Sequence, residues 1–306
     1  MIYTITLNPS VDYVAKTGEL KTGGLNRTTE ETFLPGGKGI NVSLVLSELG
    51  VPNKALGFLG GFTGHFIEEE LKKTGCQTEF IYLPDQISRI NMKIRTEDQE
   101  TEINGQGPYI SHSQLECLYQ KLEKLQEGDF LVISGSIPSS MPEDSYEKIL
   151  KRLEGKGIQF AADTTNEKLL NLLKYHPFLI KPNHHELGEV FGVTCKNEKE
   201  IIYYAKKLKE MGAQNVLVSM AEEGAVLVNE EGKILRARSP KGTVINSVGA
   251  GDSMLAGFLA GYLKTRDFVH ALKLASASGS ASAFQLWLAQ KEDIQKLYEE
   301  VHILYR

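Results

Sequence analysis

Between residues 108 and 219 the chain alternates two kinds of segment. A helical stripe (Leu115, Leu118, Leu122, Leu125) precedes the apolar run Phe130 to Ile133. A helix over about 142–153 precedes Ile158 to Ala162, another precedes Phe178 to Ile180, and one over 198–211 precedes Val216 to Ser219. Strands alternating with helices of about 10–15 residues imply a parallel sheet with helices on both faces. The segments Ile2–Leu7 and Lys54–Leu59 read as further strands, and Ala225–Val228 and Ile234–Ala237 extend the sheet. The last third is mostly helical: 250–264, 267–283 and 290–303. The expected fold is therefore α/β: one doubly wound body over 1–306, its sheet mainly parallel.

Two segments break this rhythm. Residues 11–34, most of an insertion near 10–34, read as irregular, broken by Gly18, Gly23 and Gly24. In 86–106, Ile90, Met92 and Ile94 alternate with Asn91, Lys93 and Arg95, the pattern of a half-exposed strand pair. Together these insertions are expected to form a small β-sheet lid, because open α/β sheets bind ligands at the carboxyl ends of their strands. In a monomer, Lys93 and Arg95 would guard the lid edge.

Charge and composition exclude several classes. The 306 residues carry 34 Lys and Arg against 39 Asp and Glu, a net charge of -5. That balance argues against a nucleic-acid surface, though not against a local pocket for a small anion. The longest nearly apolar stretch, Met254 to Leu263, is far short of the ~20 residues of a membrane span. The opening residues lack the basic flank and cleavage site of a signal peptide, and Cys76, Cys117 and Cys195 form neither a disulfide framework nor a zinc pattern. A cytoplasmic protein is expected.

The sharpest motif is Asn246-Ser247-Val248-Gly249-Ala250-Gly251-Asp252-Ser253, which opens an amphipathic helix. A glycine-rich turn offers successive N–H groups to an anion, and the helix start adds about half a positive charge. Asp252 beside that anion binds phosphate poorly but suits a general base for a hydroxyl attacking it. Ordinary capping would produce the same pattern. A second glycine turn, Gly36-Gly37-Lys38-Gly39-Ile40-Asn41, also opens a helix, yet matches neither a P-loop nor GxGxxG. It suits an anionic or polyhydroxy ligand, or is a plain turn. Ser134-Gly135-Ser136-Ile137-Pro138 and Lys181-Pro182-Asn183-His184-His185-Glu186 each follow a strand. Asn183 and Glu186, three apart, face the same way on a helical turn and could hold a hydrated magnesium ion. Neighbouring His184 and His185 point apart on a helix and have no distant partner, which argues against zinc.

Thr6-Leu7-Asn8-Pro9-Ser10-Val11-Asp12, Gly36 to Asn41, Ser134 to Pro138, Lys181-Pro182-Asn183 with Glu186, and Gly249 to Asp252 follow one another over essentially the whole chain. In that order the sequence resembles the ribokinase-like sugar kinases, in their phosphofructokinase-B branch. Gly57 to Gly64, Ile103 to Pro108 and Lys181 to Glu189 point, within the branch, to bacterial kinases of D-fructose 1-phosphate. The resemblance implies a ribokinase-like fold and transfer of phosphate from ATP, with Mg2+, to the 6-hydroxyl, giving fructose 1,6-bisphosphate and ADP. It implies Asp252 as base, with Gly249, Ala250 and Gly251 as the anion hole. Asp12, Gly36, Gly37 and Asn41 would bind the sugar; Lys38, Arg27, Arg89 and Ser136 would meet its phosphate. Lys181, Asn183, Gly251 and the run Ser219, Met220, Ala221, Glu222, Glu223 and Gly224 would lie along ATP. Asn183 and Glu186 would hold magnesium through water, and the lid would pair two subunits as a homodimer.

Two departures stand out. The family loop often carries glycine where this chain has Ala221, and Phe284-Gln285-Leu286-Trp287 is bulky for a segment beside adenine. Other readings are tagatose 6-phosphate or fructose 6-phosphate as substrate, or a sugar-phosphate sensor without turnover.

Overall fold

The computed structural model describes residues 1–305. Its elements run β1 (Ile2–Thr6), β2 (Ser10–Thr17), β3 (Thr28–Gly36), α1 (Lys38–Glu48), β4 (Asn53–Gly60), α2 (Gly61–Lys73), β5 (Gln77–Thr78), β6 (Ile81–Leu83), β7 (Arg89–Arg95) and β8 (Glu100–Asn104). They continue with α3 (His112–Leu122), β9 (Phe130–Ser134), α4 (Ser145–Leu153), β10 (Gln159–Asp163), α5 (Asn166–Leu173), β11 (Leu179–Ile180), α6 (His184–Val190), α7 (Glu198–Glu210) and β12 (Asn215–Ser219). After a 3₁₀ turn, Ala221–Glu223, come β13 (Ala225–Val228), β14 (Ile234–Ala237), α8 (Ala250–Thr265), α9 (Phe268–Ala283), α10 (Lys291–Glu300) and β15 (Ile303–Tyr305).

The main sheet runs β15-β14-β13-β12-β11-β10-β9-β1-β4-β5, with β6 also on β4. It is parallel from β12 to β5 and antiparallel beyond β12. Every residue of β9 is buried, as in a strand covered on both faces. Alternate side chains therefore feed two cores. Phe130 and Val132 join α1, α8 and α9 on one face; Leu131 and Ile133 join α3, α4 and α7 on the other. The α8–α9 pair is held close by glycine: a β-carbon on Gly257 would lie 2.5 Å from Ser278 Oγ, and one on Gly261 2.8 Å from Ala271 Cα. No helix of the described residues is long and apolar enough to cross a membrane.

A second sheet, β3-β2-β7-β8, stands apart. The insertion near 10–34, expected in the small sheet but with residues 11–34 read as irregular, supplies most of two of its strands, paired antiparallel from Ser10↔Gly36. The polarity of this sheet is inverted. Asp12, Asn91 and Lys93 are buried, whereas Phe33, Ile90, Met92 and Ile103 are exposed. β2 buries Ser10, Asp12 and Thr17 beside Val11 and Ala15, and β3 is exposed from Thr28 to Phe33, so neither shows an apolar-in alternation, which is why the sequence pattern missed them. Lys93 also differs from expectation. It lies on an inner strand with only 6% of its surface exposed, so it guards no edge. At the far end of the chain, the helix expected over 290–303 stops at Glu300, and Ile303–Tyr305 pair with β14.

Candidate active site

The carboxyl ends of β1, β9, β10, β11 and β12 point to one edge of the parallel sheet, where the N-termini of α1 and α8 also arrive. Gly249, the residue before α8, has φ 80°, a left-handed conformation open to glycine at little cost. A β-carbon there would lie 2.6 Å from Leu288 Cδ2. The turn is fixed from below: Ser253 Oγ donates to the Gly249 carbonyl and lies 2.7 Å from Ser282 Oγ. Asn246 ties it sideways, donating to the Leu286 carbonyl and accepting from the Val248 N–H.

Asp252 therefore stands in the first turn of α8, 5% exposed. Its Oδ2 accepts from Asn41 Nδ2 at 2.8 Å. Burial pushes its carboxyl up to about 7; the charge of Asp163 adds to that, and Lys38, Asn41 and Lys181 oppose it. A carboxylate titrating near neutrality is suited to accept a proton at ordinary pH.

Asp163, which the sequence did not single out, is the charge that organises this edge. It ends β10 at 2% exposure, with Lys38 Nζ 3.3 Å from Oδ1 and Lys181 Nζ 3.6 Å from Oδ2. Burial alone would raise its carboxyl, but the two ammonium groups outweigh burial and hold it below the usual range. Lys38 is held above the usual lysine range, chiefly by Asp163 and against its own burial, with Asp252 and Glu186 adding. The Lys181 ammonium also lies against the glycine turn, since a β-carbon on Gly251 would come within 3.0 Å of Nζ. The only sequence signal for Asp163 is its place at the end of a parallel strand.

The other expected residues divide. Asn41 Oδ1 is buried without a partner, so it can still accept from a ligand hydroxyl. Gly36 and Gly37 pass over Asp12 and Thr6: β-carbons there would lie 2.5 Å from Asp12 Oδ1 and 2.7 Å from Thr6 Cγ2. Arg89, half-buried beside them, donates to the carbonyls of Asn8 and Gly105. Ser136 is exposed on the loop after β9, and Gly135 lies over Lys38. Arg27 is not brought in. Its carbonyl is held by Thr17 Oγ1 at the far end of β2, roughly 23 Å along the strand from Ser10 at the usual rise per residue.

Asn183 and Glu186 do face each other, but as a capping box on α6. Asn183 Oδ1 accepts from the His185 and Glu186 N–H groups, and Glu186 Oε2 accepts from the Asn183 N–H. Among the described residues no group of three or more His, Cys, Asp or Glu could hold a metal ion. With Glu186 Oε2 engaged in the cap, its other carboxylate oxygen suits a magnesium ion that keeps most of its waters and is bound mainly by phosphates. The histidines do not point apart: their rings stand 3.9 Å apart between centroids.

In the loop expected to meet ATP, Ser219 pairs with Asn183, and Met220 is buried. Glu222 and Glu223 are exposed on the 3₁₀ turn, and Gly224, φ 93°, lies against the Ala237 carbonyl. Ala221 has φ 48°, a left-handed value that costs an L-residue about 1–2 kcal/mol. Ala221→Gly should therefore raise the urea midpoint at unchanged m-value. The net gain is about 1 kcal/mol or less, since glycine also loosens the unfolded chain. A lower midpoint would show that Ala221 is not strained there.

A family model for pfkB family carbohydrate kinases matches residues 4–288. The chain belongs to the pfkB family. The resemblance drawn from its ordered motifs is confirmed, and the ribokinase-like fold with it. The chain is 48% identical over 303 residues to a 1-phosphofructokinase of Bacillus subtilis, covering 99% of each chain. It is 39% identical over 306 residues to a D-tagatose-1-phosphate kinase of Bacillus licheniformis, covering 100% of each. A crystal structure of phosphofructokinase-2 from Escherichia coli in complex with substrates and products superposes with a TM-score of 0.92, at 26% identity and 98% coverage of each chain.

Proposed function

We propose that this pfkB kinase transfers the γ-phosphoryl group of ATP to the 6-hydroxyl of D-fructose 1-phosphate, giving fructose 1,6-bisphosphate and ADP. The observation that carries the chemistry is a buried, near-neutral Asp252 held by Asn41 in the first turn of α8. The substrate is supported by the full-length likeness to a 1-phosphofructokinase.

Asp252 takes the proton of the sugar hydroxyl as its oxygen bonds to the γ-phosphorus and the bond to the ADP oxygen breaks. Phosphoryl transfer depends mostly on position and charge. The N–H groups of Gly249, Ala250 and Gly251 and the Lys181 ammonium meet the charge on the transferring group. Asn41 Oδ1, Asp12 and the Gly36–Gly37 turn take sugar hydroxyls, and Lys38, Arg89 and Ser136 take the sugar phosphate. Asn183 and Glu186 would hold the waters of a magnesium ion, which neutralises phosphate charge when bound. The Ser219 to Gly224 loop lies along the nucleotide.

The protein is read as cytoplasmic, and the lid's exposed face supports a homodimer through the lid: Phe33, Tyr13, Met92 and Ile103 lie in one row across its four strands, and Phe33, Met92 and Ile103 are exposed. D-Tagatose 1-phosphate is a second substrate reading, favoured by the second relative named above. It keeps the phosphate in place and inverts one hydroxyl.

Release of ADP, coupled to a dye and driven by ATP, magnesium and D-fructose 1-phosphate, tests the proposal. Turnover with fructose 1,6-bisphosphate as product supports it; tight sugar binding without ADP would make the protein a sensor. Lys38→Ala should raise the KM for the sugar phosphate about tenfold or more and the KM for ATP much less, the size of one lost charge-assisted contact. The reverse pattern would move Lys38 to the nucleotide.

A further inference from the structure

The buried row of the lid contains a lysine with no part in the assignments above. Lys93 and Asp12 face the same side of the second sheet, and their side chains are only 7% and 9% exposed. The Asp12 carboxylate is held on both oxygens. Oδ1 accepts from Ser10 Oγ at 2.7 Å and from Asn91 Nδ2 at 3.0 Å; Oδ2 lies 3.1 Å from Lys93 Nζ. Glu102, opposite Lys93 on β8, is farther at 3.8 Å and 40% exposed, so Asp12 is the principal partner. Asn91 is fixed in turn, its Oδ1 accepting from the Gly105 N–H.

A carboxylate offers about four acceptor positions. Three are taken here. The Gly36 backbone covers the carboxylate without a side chain, and a β-carbon there would crowd both Asp12 Oδ1 and Ser10 Oγ. Burying an ammonium on a long, mobile stem costs desolvation and side-chain entropy. What that burial achieves here is a carboxylate that cannot turn.

We infer that Lys93 is a positioning residue for the sugar phosphate: its ammonium fixes the Asp12 carboxylate so that one remaining acceptor position meets a sugar hydroxyl. This rests on Asp12 as a sugar contact. Lys93 touches no reacting atom. Its loss therefore weakens sugar binding and leaves phosphoryl transfer nearly intact.

The test measures kcat, the KM for D-fructose 1-phosphate and the KM for ATP in Lys93→Met, Lys93→Arg, Asp12→Asn and the double variant Asp12→Asn/Lys93→Met. Lys93→Met should raise the sugar KM about tenfold or more, with kcat and the KM for ATP moving by less than about threefold. Lys93→Arg should recover most of the loss. In the Asp12→Asn background, Lys93→Met should add less than about threefold, because the two act as one unit. An unchanged sugar KM in Lys93→Met, or effects that multiply fully in the double variant, would overturn the inference. Should Lys93→Met fail to fold, the double variant lacks both charges and is compared with Asp12→Asn alone: equal sugar KM supports the inference, and a further tenfold rise overturns it. An unchanged sugar KM in Asp12→Asn would overturn the assignment of Asp12 itself, and Lys93 with it.

Discussion

Asp252→Asn is expected to lower kcat by about 100- to 10,000-fold, the span of a positioned general base, with little change in either KM. The amide can still accept from Asn41 Nδ2, so the turn should keep its shape while losing the proton acceptor. In the wild type, kcat/KM should rise with pH through about 7, as the free enzyme's Asp252 ionises. That limb should vanish in the variant. Stability should show the opposite sign. The folded-state pKa lies above the unfolded value of about 3.9, so the wild type is favoured below that value and loses stability as pH rises through about 7. Asp252→Asn escapes this loss and should gain on the wild type between pH 5 and pH 8 in urea melts. Full activity in the variant would remove Asp252 from the chemistry.

Asp163→Asn is expected to be the most destabilising polar substitution at the site, by about 3–5 kcal/mol above pH 5, the cost of leaving a buried charge without its partner. Lys181, 5% exposed, would lose the carboxylate it is ion-paired with, and so would Lys38. Asp163 is held below its unfolded pKa, so its contribution is present above about pH 4 and fades as pH falls through the lower folded value. The gap between variant and wild type should therefore close in acid. Removing this like charge should also move the rising limb of kcat/KM to lower pH, because Asp163 helps to hold the Asp252 carboxyl up. Urea melts and the pH profile measure both effects. An equally stable variant with an unmoved limb would show that Asp163 does not organise the edge.

The body of the fold was legible because its physics is local. Strands such as Phe130–Ser134 are buried on both faces and read as continuous apolar runs, and the helices between them keep their period. The second sheet was half legible. Ile90, Met92 and Ile94 announced a strand, but which row faces inward depends on what the site needs, and here Asn91 and Lys93 are inside. Asp252 and Asn41 were legible through glycine turns at helix starts. Their contact joins residues 211 positions apart and needed the fold. Asp163 sits in Ala161-Ala162-Asp163-Thr164, which matches no motif; only the direction of β10 brings it to the ligand edge. Arg27 shows the converse. A basic residue near the right motifs lies in the β2–β3 connection, its carbonyl held at Thr17, the end of β2 away from Ser10.

The most direct test of the account compares kcat/KM for D-fructose 1-phosphate, D-tagatose 1-phosphate, fructose 6-phosphate and tagatose 6-phosphate, with ATP and magnesium. The expected result is a preference of tenfold or more for D-fructose 1-phosphate, about 1.4 kcal/mol of transition-state discrimination. Equal or better turnover of either 6-phosphate would contradict it, leaving Asp252 in place and assigning a different substrate.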